Sequence, residues 1–100
     1  MIERPDPFSS TTIQTLVNSC LRPVASLDGA HVTTVEGVGS KSGGFHPIQI
    51  KMAENDGSQC GYCTPGMVMS IYGLLSKNKT PSQEDVEQFC QGNICRCTGY

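Results

Sequence analysis

The spacing of apolar positions changes once along the chain, near residue 40. Residues 1–10, MIERPDPFSS, hold two prolines and two serines with no periodic pattern, and are expected to form a disordered leader. From 11 to 40 the chain turns to short β-branched runs, TTIQTLVNSC and AHVTTVEGVG, separated by Pro23 and the turn pair Asp28-Gly29. These predict two short strands. In the second, His31, Thr33 and Val35 face one side and Val32, Thr34 and Glu36 the other, a weak alternation. Two strands alone are marginal in water, so the region reads as the edge of a sheet whose other strands are missing.

The run SKSGG at 40–44 is a linker by composition, and the domain boundary is placed there. Beyond it the period becomes helical. Pro47 suits a first helical position, Ile48 and Met52 are i,i+4 neighbours with Ala53 beside them, and Asp56-Gly57 ends a helix of about three turns. A second helix opens with Thr64 as N-cap and Pro65 at the first position. Its apolar series is Met67, Val68, Ile71, Leu74 and Leu75, the strongest periodicity in the chain. A third starts at Thr80-Pro81-Ser82, where Ser82 with Asp85 or Thr80 with Gln83 forms a capping box. Its apolar positions are Val86, Phe89 and Cys90, and Gly92 closes it. Thr98 would cap a further helix beyond Tyr100, so the unit from 41 to 100 reads as an incomplete four-helix bundle. The fold expected is mainly α, preceded by a two-strand remnant over 11–40.

Composition narrows the function classes. One hundred residues give one small unit, without room for a catalytic domain beside a cofactor module. With 37% hydrophobic residues, no Trp and 16% charged residues, the core it can build is modest. Seven Lys plus Arg against nine Asp plus Glu leave a charge of -2 and no basic stripe, which argues against nucleic acid as a partner. No apolar run reaches the ~18 residues of a membrane span, and MIERPDPFSSTT lacks the apolar stretch of a signal peptide. A cytoplasmic protein with no membrane partner is expected.

The six cysteines change the picture most. Without an export signal, disulfides give way to a metal as the reason for them. Cys60 and Cys63 form C-x-x-C, Cys95 and Cys97 form C-x-C, Cys90 lies close by and Cys20 stands alone. Thirty-one residues separate Cys63 from Cys95, enough for two helices to run out and back and bring both loops to one end. Four thiolates meeting there can hold one zinc or one [2Fe-2S] cluster. Spacing alone leaves both open, although structural zinc sites usually pair two C-x-x-C knuckles. Backbone N–H groups around Gly61, Tyr62, Gly92, Asn93 and Gly99 can donate to sulfides and thiolates and tune a cluster's potential.

The text GSQCGYCTPGMVMSIYGLL followed by QGNICRCTGY resembles the helical [2Fe-2S] domain of the molybdenum hydroxylases, the xanthine dehydrogenase and aldehyde oxidase family. Upstream, VNSCLRPVASLDGAHVTTVEGVGS and HPIQ extend the resemblance to about residues 16–100. It implies a ferredoxin-like β-grasp domain with its own cluster, of which 11–40 would be the C-terminal remnant, followed by the helical domain with a second cluster. Cys60, Cys63, Cys95 and Cys97 match the four ligands of that second cluster. Cys20 matches only the last ligand of the first, whose partners would form a C-x4-C-x2-C run upstream. Cys90-x4-Cys95-x-Cys97 has the wrong second gap for such a run, so one cluster is expected in this chain. Gln59 and Cys97 match residues that contact the pterin. Substrate is hydroxylated at a molybdenum-pterin centre in that family, and electrons pass singly through the clusters to FAD and on to NAD or oxygen. The implied partners are molybdopterin-binding and FAD-binding domains or subunits, in a parent enzyme that is a dimer. This chain is not expected to catalyse hydroxylation alone.

The remaining candidates read more plainly. Cys90 shares an apolar face with Val86 and Phe89 and is read as a core thiol, and Cys20 as an orphan. His46 and His31 are read as capping or surface histidines, and Met67 and Met69 as core or near-core residues. Arg96 can screen a negative cluster, and Tyr62 and Tyr100 can cover one or serve an interface.

Overall fold

The computed structural model describes all residues, 1–100. Three short strands come first: β1 (Ile2–Pro5), β2 (Thr12–Thr15) and β3 (His31–Val32), in the antiparallel order β2-β1-β3. Four helices follow: α1 (Val35–Val38), α2 (Pro47–Glu54), α3 (Thr64–Lys77) and α4 (Gln83–Cys90). Two 3-10 turns, Ser19–Leu21 and Val24–Leu27, link β2 to β3.

The expected leader is instead the central strand of the sheet. Ile2 pairs with Thr15 on one side and Val32 on the other, and its side chain is only 4% exposed. The Met1 ammonium donates to the Thr33 carbonyl at 2.7 Å, closing the same edge. The prolines and serines that suggested disorder build the hairpin turn. Asp6 accepts from Phe8 N–H at 2.9 Å and from the Ser9 hydroxyl at 2.8 Å, while Asp6 N–H donates to the Thr11 carbonyl. A four-residue strand held by backbone pairing shows too little alternation to register as a pattern.

The expected second strand is cut short. Only His31 and Val32 pair, against Glu3 and Ile2, and the chain then winds into the single turn of α1. The Thr34 carbonyl accepts from Gly37 N–H at 3.0 Å, so the β-branched run 32–35 straddles a strand end and a helix start. The 40–44 run is an ordered turn, with Ser40 N–H donating to the Gly44 carbonyl at 3.0 Å. The helix after it spans eight residues, shorter than the expected three turns. His46 caps it: Ile48 N–H donates to His46 Nδ1, and His46 N–H donates to Gln49 Oε1 at 2.9 Å. Gln49 also donates to the Gly39 carbonyl at 3.2 Å, and a Cβ on Gly39 would stand 2.6 Å from His46 N.

Helix α3 is the hub, packing against α1, α2 and α4. Val68 and Leu74 on it, Ile48 on α2, Cys90 at the end of α4 and Cys95 beyond are buried. The strands meet this helix through Leu16, whose side chain lies where a Cβ on Gly73 would be, 2.8 Å away. The capping box expected at Ser82 and Asp85 opens α4. No helix is long and apolar enough to cross a membrane.

Candidate metal centre

The turn before α3 and the turn after α4 face each other, and each delivers two cysteines. Cys60 and Cys63 arrive on the first, with Cys63 at the N-cap of α3, one residue earlier than the cap expected at Thr64. Gly61 between them has φ of 84°, and no atom lies within 4 Å of where its Cβ would stand. Backbone conformation, not crowding, therefore requires glycine there. Cys95 and Cys97 arrive on the second turn, which closes through Gly99 N–H donating to the Cys95 carbonyl at 3.1 Å and Cys95 N–H to the Tyr100 carbonyl at 2.9 Å. Gly99 reverses the chain with φ of 77°.

All four cysteines, together with Gln59 and Thr98, line one cavity of about 60 Å³. The thiols meet across the loops in two pairs. Cys97 lies close enough to Cys60, and Cys63 to Cys95, for each pair to shift a thiol's ionisation. No three of them converge closely enough to ring a single ion. Two thiols from each loop can hold two metal atoms sharing a core or one tetrahedral ion.

Hydrogen bonds bias these sulfurs toward the thiolate a metal needs. The Thr98 hydroxyl, then the Thr98 N–H and the Cys63 thiol, pull Cys95 down to about 7. The Tyr62 N–H, followed by the Cys97 thiol, lowers Cys60. Cys63 is raised because its proton is shared with Cys95. Of the donors expected from the loop sequences, Tyr62 N–H reaches a thiol, whereas Asn93 N–H and Gly99 N–H donate to the Cys90 and Cys95 carbonyls instead. Thr98, read from sequence only as a helix cap, is a donor the motif reading missed; its place directly after C-x-C was the available signal.

The other cysteines lie apart from the cavity. Cys90 is buried at 6% exposure, and burial pushes its thiol up. Cys20 is exposed and donates to Asn18 Oδ1 at 3.1 Å. Tyr62 is 94% exposed, so its ring covers nothing in this chain, and the Tyr100 hydroxyl reaches toward the Glu87 carbonyl at 3.5 Å. The donor set fits an iron-sulfur cluster: soft sulfur ligands, paired two and two, with N–H and O–H groups aimed at them.

These features define a helical domain built to hold a metal cluster between two cysteine loops. Comparison with known proteins identifies the kind. The model of the [2Fe-2S] binding domain matches residues 34–100, and the chain belongs to that family. It is 50% identical over 101 residues to xanthine dehydrogenase 2 of Arabidopsis thaliana, a match spanning 100% of this chain and 8% of that protein. It is 52% identical over 100 residues to aldehyde oxidase 3 of Mus musculus, again spanning 100% of this chain and 8% of the relative. Among solved structures, aldehyde oxidoreductase from Desulfovibrio gigas superposes with a TM-score of 0.77 at 41% identity, over 82% of this chain and 9% of that one. Quinoline 2-oxidoreductase from Pseudomonas putida 86 gives 0.75 at 34% identity, over 84% and 51%. The chain therefore spans less than a tenth of the length of these curated relatives.

Proposed function

We propose that Cys60, Cys63, Cys95 and Cys97 would hold one [2Fe-2S] cluster, as an electron-transfer module of a molybdenum hydroxylase. The observation that carries this is the cavity in which the two cysteine loops bring four thiols together in two pairs. When bound, the cluster accepts and releases one electron at a time. The chain's own part is to present thiolates and to donate hydrogen bonds from Thr98 and Tyr62. Cys97 is exposed and Gln59 lies at the same cavity. These two residues form the face that would be offered to a molybdopterin-binding domain as the entry point for electrons. An FAD-binding domain or subunit would be the onward partner. The parent enzyme is a cytoplasmic dimer in this reading, the strands belong to a β-grasp domain, and the helices to a four-helix bundle.

Anaerobic reconstitution tests the reading. The expected product is brown, carries two irons and two sulfides, and shows a one-electron paramagnetic signal on reduction. A colourless protein that retains one zinc through the same treatment would overturn it.

A further inference from the structure

The two cysteine loops meet at one end of the α3–α4 pair, one before α3 and the other after α4, and besides the thiols themselves one side chain ties them together. Asn93 Nδ2 donates to Ser70 Oγ at 2.8 Å and to the Cys90 carbonyl at 3.4 Å, while Asn93 N–H donates to that same carbonyl at 2.8 Å. Its Oδ1 occupies the notch left by Gly66, where a Cβ would come within 2.7 Å of it. Gly66 and Ser70 are one turn apart, so the amide lies along the first two turns of α3. Gly66 follows Cys63 by three positions and Asn93 precedes Cys95 by two. Apart from the thiols, no other side-chain hydrogen bond joins residues 91–100 to α3 or to the 55–63 loop: Tyr100 reaches only α4, and Ser58 bonds Thr64 at the start of α3.

We propose that Asn93 is the positioning residue that sets the separation of the thiol pairs. It holds the Cys95–Cys97 loop against the start of α3, so that Cys95 meets Cys63 and Cys97 meets Cys60 before any metal arrives. Asn93 and Ser70 are both half-buried, which shields the bond from water and raises the cost of losing it. The metal-free part of this inference stands on geometry alone; its consequence for a cluster rests on the function proposed above.

The test uses the full chain with Cys20→Ser and Cys90→Ser, leaving four thiols. Mild oxidation of the metal-free protein, followed by mass spectrometry, gives the ratio of inter-loop disulfides (60–97 and 63–95) to the intra-loop 60–63 bond. Asn93→Ala is expected to lower that ratio roughly tenfold, the size of one partly buried hydrogen bond lost. Gly66→Ala evicts the same amide while improving helix propensity, and is expected to lower the ratio without unfolding α3. Asn93→Asp keeps an acceptor for the Ser70 hydroxyl and is expected to restore most of it. After reconstitution, Asn93→Ala and Gly66→Ala are expected to change the g-values and reduction potential of the cluster, which mere destabilisation would leave alone. Inter-loop ratios unchanged in both variants would overturn the proposal. Failure of the unsubstituted chain to take up iron would instead overturn the cluster reading, with the disulfide ratios still deciding the role of Asn93.

Discussion

The strand half and the helical half of the chain are held by different kinds of interaction. In the helical half, Ile48, Val68, Leu74, Cys90 and Cys95 are buried, and side chains lock the element ends at His46 with Gln49, Ser82 with Asp85 and Asn93 with Ser70. In the strand half Ile2 is the one buried hydrophobic side chain, while Phe8, Leu21 and Val24 are 96%, 79% and 83% exposed. Backbone pairing does most of the holding there. Between the halves runs a groove of about 980 Å³, lined by Leu16, Val24 and Val35 on one side and Met69 and Phe89 on the other. Every thiol of the cavity comes from the helical half, so that half positions the chemistry by itself. Segments with few buried contacts open at lower free energy than those with many.

Substitutions that separate the two halves give the largest effects at the thiols. Cys63→Ser or Cys95→Ser is expected to abolish bound iron, because each leaves one pair with a single sulfur. Cys90→Ser and Cys20→Ser are expected to retain it, since neither lines the cavity. Iron and sulfide analysis after reconstitution checks all four, and loss of iron in Cys90→Ser would redraw the ligand set. Next in size is the core. Leu74→Ala is expected to destabilise the helical half by about 3 kcal/mol through the cavity it leaves, read as a lower denaturant midpoint. Ile2→Ala is expected to speed amide exchange in the strands and leave iron content unchanged. A fall in iron in Ile2→Ala would show that the strands help shape the site.

The comparison also explains what the sequence revealed. Helices α3 and α4 were legible because amphipathic spacing, Pro65 and the Ser82-Asp85 box act over a few residues each. The pairing of the two cysteine loops was legible because C-x-x-C and C-x-C are local and the run between them has the length of a helix pair. Strand β1 was not legible. Its evidence is its two neighbours, and β3 contributes only two paired residues some thirty positions away. Helix α1 was hidden for a related reason: Val35 and Val38 are β-branched at its ends, and tertiary contact with α3 overrides their strand preference. Within the site, the side chains of Thr98 and Asn93 escaped notice because their partners lie on sulfur and on another helix, not on neighbouring backbone.

A smaller effect separates the halves at one helix end. Ser82→Ala removes the hydroxyl that accepts from Asp85 N–H at 3.2 Å, and is expected to destabilise α4 by about 1 kcal/mol. Thermal or denaturant melting monitored by helical circular dichroism checks it, and a change in the strand amides would tie the halves more closely than the contacts do.

Acid provides the finest test, because each half holds one carboxylate clamp. Asp85 is lowered by the Ser82 N–H and then by the Ser82 hydroxyl, and Asp6 by the Phe8 N–H and then by the Ser9 hydroxyl. Both carboxyls are easier to ionise in the folded chain than in the unfolded one. Their stabilising contribution is therefore complete above the unfolded value of about 3.9 and is lost as pH falls through the lower folded values. Between neutral pH and about 5 neither clamp should change. Below that range, Asp85→Asn is expected to flatten the acid dependence of amide exchange in α4 alone, and Asp6→Asn that of the β1–β2 hairpin alone. Nuclear magnetic resonance reads both from the same samples. If Asp6→Asn altered the acid response of α4, the groove between the halves would be transmitting stability, and the independence of the helical half would have to be given up.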